Sequence, residues 1–167
     1  ALAEFNSCCS CAPPAPTTPC NENVGYTGGI NYPDRRNIDL GSSTGTVTVK
    51  FNAENVPDRM IVKFDGVTVI DSQYQGDTGM ISNLHAELSG TDPNTGSPYV
   101  EPVSGNAYEP NGTAPLPTVA NGGFIDKSRQ KILEYTFAKN TATTSCQIEV
   151  YGPLEGTGYI VEVTCPT

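Results

Sequence analysis

The chain has 167 residues, enough for one domain or for one domain with an ordered arm. Nine Lys and Arg stand against eighteen Asp and Glu, a formal charge of −9, which argues against a nucleic-acid groove or an anionic membrane surface as the main partner. No apolar run approaches the roughly 18 residues of a bilayer span, and the abundance of Gly and Pro over helix-forming runs points to an all-β domain with long loops.

In chain order, Ala1 to Pro19 ("ALAEFNSCCSCAPPAPTTP") carries too many prolines for regular pairing and reads as an extended arm. Its opening lacks a basic region followed by an apolar core, so it does not read as a secretion signal. The β-sandwich domain is expected over 20–167. Cys20 to Gly41 is polar and turn-rich. In "GTVTVKF", Val47, Val49 and Phe51 alternate with Thr46, Thr48 and Lys50, the period of a half-buried strand. "RMIVKF" and "VTVID" are separated by Asp65-Gly66, the pair that suits the positive φ values of a type I′ hairpin turn.

"MISNLHAEL" reads as a strand, with a short helix as the competing reading. Residues 89–127 then lose all periodicity, and their prolines with Tyr99 and Tyr108 suit an extended assembly segment lying on a neighbouring subunit, with a mobile surface insertion as the competing reading. Regularity returns in "KILEYTF", "CQIEVYG" and "GYIVEVTC". Their inward sets are Leu133, Tyr135 and Phe137; Cys146, Ile148 and Val150; and Tyr159, Val161, Val163 and Cys165. "GPLEGT" reads as a hairpin loop joining the last two, with Glu149 and Glu162 facing outward. About seven strands of this kind make a β-sandwich or jelly roll with an N-terminal arm and a long loop insertion.

Pairing Tyr151 with Ile160 in that hairpin sets Cys146 opposite Cys165, within disulfide reach, and a Cys146–Cys165 bridge is expected. Cys8, Cys9, Cys11 and Cys20 fall in or beside the arm. Their spacing matches no zinc knuckle, so they are read as staples within the arm or between subunits, the latter requiring an oxidising setting, with a four-thiolate metal cluster as the competing reading. His85 is the sole histidine and has no flanking motif, so no catalytic residue is assigned and the chain is read as a non-enzyme. Among the aspartates, Asp65 belongs to its turn. Asp58, Asp71 and Asp77 are the candidate ligands for calcium, with local turn and pairing roles as the competing reading.

The stretch "NAENVPDRMIVKFDGVTVIDSQYQGD" resembles a small β-sandwich module with a V-P-D-R motif, a hairpin, a D-S-x-Y-x-G segment and a closing G-T-x-aromatic. Such modules occur in cyanobacterial secreted proteins and in structural proteins of tailed phages. The residues that carry the resemblance are Pro57, Asp58 and Arg59, then Asp71 to Gly76, then Gly156, Thr157 and Tyr159, within roughly Gly45 to Cys165. The closing aromatic is often Trp, and Tyr159 departs from that. Arg59 is expected to fork onto a carboxylate, Asp58 or Asp71.

Two functions follow as expectations. The first is a noncatalytic structural protein of a phage particle (capsid decoration, neck or tail), located in the virion, with other copies of itself and other particle proteins as partners. The second is a secreted module that binds carbohydrate or a cell surface through exposed aromatics such as Tyr99, Tyr108 and Tyr151.

Overall fold

Period-two burial, clearest over residues 45–52, sets the architecture of the computed structural model, which describes residues 14–127 and 132–167. The described residues form β1 (Thr17–Pro19), β2 (Asn23–Gly28), β3 (Asn31–Asp39), β4 (Gly45–Asn52), β5 (Asp58–Phe64), β6 (Val67–Gly76), helix α1 (Ile81–Leu88), β7 (Phe124–Asp126), β8 (Leu133–Lys139), β9 (Ser145–Gly152) and β10 (Thr157–Thr164). One sheet has the order β1-β3-β9-β5-β6-β7 and the other β2-β10-β4-β8. Val47, Val49 and Phe51 of β4 and Val161 and Val163 of β10 face Met60 and Val62 of β5 and Ile148 and Val150 of β9. All are buried in one core between the sheets. The chain is an all-β sandwich.

The Asp65-Gly66 turn forms as its sequence demands, with φ of 51° and 73°. The Asp65 carboxylate also accepts hydrogen bonds from the hydroxyls of Thr141 (2.6 Å) and Thr143, fastening the loop after β8 to the β5–β6 hairpin.

Several expectations are corrected. β9 and β10 do not form a hairpin: β9 pairs with β3 and β5, β10 with β2 and β4, and the connection between them crosses from one sheet to the other. The expected Cys146–Cys165 bridge therefore does not exist. Cys165 is bonded to Cys20, with the Cα atoms 5.1 Å apart, while Cys146 is a buried free thiol in the core. Cys20 thus belongs to the sandwich, whereas Cys8, Cys9 and Cys11 lie outside the described residues. Glu149, placed on an exposed face, is instead buried between Arg35 (2.9 Å) and Lys63 (2.6 Å).

The segment "ISNLHAEL" is a helix, because Leu84 and Leu88 recur at i, i+4 and bury one face. The region 89–127, expected to lie extended on a neighbour, packs on its own domain. Tyr99, Tyr108, Ala114 and Phe124 join Tyr74, Leu84 and Leu88 in a second core on the outer side of the six-stranded sheet. Two tyrosines and short hydrogen-bonded turns bury enough surface to hold a segment without any strand alternation. The turn-rich region 20–41 likewise supplies two strands, and β1 falls inside the stretch read as arm.

Candidate binding site

The site begins with a fault in a strand. Opposite β5, Arg59 faces Tyr74 and Ile61 faces Asp71, so Ser72 and Gln73 together oppose Met60 alone. This is a β-bulge, and it puts Gln73 at φ 56°, a left-handed conformation uncommon for a residue with a side chain. The Met60 N–H donates to Ser72 Oγ (2.8 Å) in place of a ladder bond. The extra residue also re-phases β6. Ile70 and Ser72 point toward the sandwich, but Tyr74 now points outward into the second core, while Gln75 turns inward and donates to Tyr135 Oη at 2.5 Å.

Above the bulge lies a charged network. Arg59, at the outward-facing start of β5, makes a two-pronged contact with Asp71: Nε to Oδ1 at 2.9 Å and Nη2 to Oδ2 at 2.6 Å. Its remaining nitrogen donates to Glu101 Oε1 at 2.6 Å. The other oxygen of Glu101 accepts the N–H groups of Ser104 (2.6 Å) and Val103 (3.2 Å), so one guanidinium pins the loop at 101–104 to the sheet. Burial alone would push the Glu101 carboxyl up, but the Ser104 bonds, the Arg59 charge and the Val103 N–H hold it below its ordinary value. Asp71 also accepts from the Gln73 N–H (3.0 Å) and its side-chain amide (3.3 Å). Two carboxylates against one guanidinium leave a slightly negative wall whose lone pairs are largely spoken for.

Behind it stands a cluster of tyrosines. Tyr32 meets Tyr99 and Tyr151 edge-on, with ring centroids 4.9 and 4.8 Å apart. The Tyr32 hydroxyl donates to Val100 O (2.6 Å) and receives the Tyr74 hydroxyl at 3.3 Å, and Tyr99 donates to Glu87 of α1 at 2.8 Å. Tyr108 is 1% exposed, and its hydroxyl has no partner within hydrogen-bond geometry, although it lies in the field of Arg59 and Glu101 and near the hydroxyls of Tyr74 and Tyr32. A buried hydroxyl left unpaired costs about 1–3 kcal/mol. Burial pushes the pKa values of Tyr32 and Tyr74 well above that of an ordinary phenol, so both stay neutral donors.

Between this wall and the turns at 104–106, 113–117 and 121–123 opens a pocket of about 470 Å³. Arg59, Asp71, Gln73, Glu101, Asn106 and Tyr108 supply its polar side, and Pro115, Pro117 and Val103 its apolar side.

Of the residues singled out in the sequence, Arg59 and Asp71 meet here. The other two calcium candidates do not. Asp58 is buried at the sheet interface and accepts from Thr157 Oγ1 at 2.5 Å, and Asp77 accepts the Gly79 N–H at 2.8 Å to cap a short 3-10 turn. Among the described residues no three His, Cys, Asp or Glu converge as a metal would require. His85 has a structural contact, its Nε2 lying 2.6 Å from Pro117 O. The motif residues Asp58 and Thr157 pair with each other, and Tyr159 donates to Asp34. Pro57 packs against the backbone at Gly76, and Gly156 takes φ 74° in its turn. Glu101 and Gln73 carried no sequence signal: one sits in an aperiodic loop, the other in a run that reads as plain strand.

No protein-family model matches the chain, and no curated protein matches it significantly. Among solved structures it is similar to the pre-peptidase C-terminal domain of a collagenase from Bacillus anthracis. The likeness has 9% sequence identity and a TM-score of 0.46, and covers 90% of this chain and 95% of that one.

Proposed function

We propose that the chain is a noncatalytic structural protein of a phage particle, acting through contacts made by its N-terminal arm. The observation that carries this reading is the way the arm is rooted. β1 pairs in parallel with β3 at the edge of the larger sheet, Thr17 against Asn37 through Pro19 against Asp39. Asn37 holds the approach as well, its N–H on Pro16 O (2.9 Å) and its side-chain amide on Ala15 O (3.4 Å). Directly after β1, Cys20 is bonded to Cys165 beyond the end of β10. A pull on the arm therefore meets an edge strand and then a covalent bond joining both ends of the domain. A disulfide of this kind fits a protein that works outside a reducing cytoplasm. The remaining arm cysteines, Cys8, Cys9 and Cys11, then serve as staples to neighbouring copies or particle proteins. The test is incorporation: residues 14–167 should fold but associate poorly with the particle.

A second reading, a secreted module that binds a surface ligand, is favoured by the pocket over the β6 bulge. The two differ in what they need from the chain: the first needs the arm, the second needs the pocket.

A further inference from the structure

We infer that the pocket over the β6 bulge binds a neutral saccharide, one or two sugar units of a surface glycan. This inference deepens the second reading above and rests on it. Two observations carry it. The pocket is of ligand size, about 470 Å³, and combines a few convergent polar groups with apolar walls. Its floor is the bulge, where Gln73 is held at φ 56° with its amide in the pocket wall. Strain of this kind persists where the surrounding structure fixes it and is concentrated at binding sites.

The chemistry of the wall selects against charge. An anion would face the Asp71 and Glu101 carboxylates, with Arg59 already committed to both. A cation would find those carboxylate oxygens occupied by Arg59, the Gln73 amide and the N–H groups of Val103 and Ser104. What remains is a rim of uncharged donors and acceptors, Asn106, Ser104, Thr113 and the Gln73 amide, facing Pro115, Pro117 and Val103. Hydroxyl groups that both donate and accept match such a rim, and the C–H face of a sugar ring matches the apolar side.

The test uses the full chain on a printed array of neutral glycans, with sialylated and sulfated glycans beside them, followed by calorimetry with the free saccharide that binds. Two variants probe the pocket. Gln73→Gly removes the amide but relaxes the backbone, so it should fold at least as well as the parent. Thr113→Trp, at an exposed rim position, fills the opening without touching either core. The expected result is binding of neutral glycans only, weakened at least about tenfold by each variant while the melting temperature is kept. Binding confined to anionic glycans, or unchanged by both variants, would overturn the assignment. If no glycan binds yet Thr113→Trp abolishes attachment to whole cells, the saccharide is wrong and the binding-module reading stands. If neither glycans nor cells are bound, both fall.

Discussion

Thr157 Oγ1 donates to Asp58 Oδ1 at 2.5 Å, linking the first residue of β10 to the first residue of β5 and so one sheet to the other. The second oxygen of Asp58 has no partner, and the side chain is fully buried. Burial, with the nearby Glu54 charge adding to it, raises this carboxyl well above its ordinary value, against the pull of the Thr157 hydrogen bond. Below that raised value Asp58 is a neutral carboxylic acid in the folded state.

That neutrality has a sign. From about pH 3.9 upward to the raised folded value, the folded protein holds a proton that the unfolded chain has released. Stability from this group falls as pH rises, by about 1.4 kcal/mol per unit across the window. Asp58→Asn keeps an acceptor for Thr157 and cannot ionise. Urea unfolding at about pH 5 and pH 7 should show a shallower pH dependence in the variant; equal slopes would mean that Asp58 is ionised in the fold.

At lower pH the opposite sign applies. Burial pushes Glu149 up, but Lys63 and Arg35 outweigh it and hold its carboxyl below the ordinary range. Glu101 is depressed likewise. Their contribution is present above about pH 4.3, the unfolded value, and is lost as pH falls through the lower folded values. Glu149→Gln should therefore flatten the acid limb of the stability curve and leave the slope above pH 5 unchanged. A steeper acid limb in the variant would contradict this.

The Cys20–Cys165 bond spans 145 positions, and closing so long a loop restricts the unfolded chain strongly. Cys165→Ser should cost about 2–5 kcal/mol. Peptide mapping without reductant should recover the Cys20 and Cys165 peptides joined. Cys146, whose thiol burial pushes up to about 12 with a backbone hydrogen bond drawing it slightly back, should resist alkylation until the protein is unfolded. Rapid labelling of Cys146 in the native state would contradict its place in the core.

Two tyrosines in the second core make a matched pair. Tyr32→Phe loses the bond to Val100 O and leaves that acceptor short, costing about 1 kcal/mol. Tyr108→Phe loses a hydroxyl that has no partner, so its thermal midpoint should stay equal or rise. Comparable destabilisation by both would show that the Tyr108 hydroxyl is satisfied after all.

How much of this was legible in the sequence follows from the range of each signal. The Asp65-Gly66 turn and the inward faces of β4, β9 and β10 were readable because turn geometry and period-two alternation are local. The cysteine pairing was not, because a short Gly-rich connection looks the same whether it closes a hairpin or crosses between sheets. Only the pairing of β9 with β5 and of β10 with β4 decides which. Leu84 and Leu88 did show the spacing of helix α1, but a surrounding all-β composition favoured the wrong period. The pocket was hidden most completely. It depends on a one-residue slip at Gln73 and on Glu101 reaching Arg59 from 42 positions away. Arg59 itself was readable as a carboxylate partner through its motif, and its partner is Asp71.

The central claim is that the domain is built to be held by its N-terminal arm, and it is tested most directly by co-sedimentation with the purified phage particle. The comparison sets the full chain against residues 14–167, which retain β1 and both cysteines of the disulfide. The two proteins should share one melting temperature, while only the full chain sediments in fixed proportion to the particle. Equal incorporation of both, or a full chain that associates with no particle, would contradict the account.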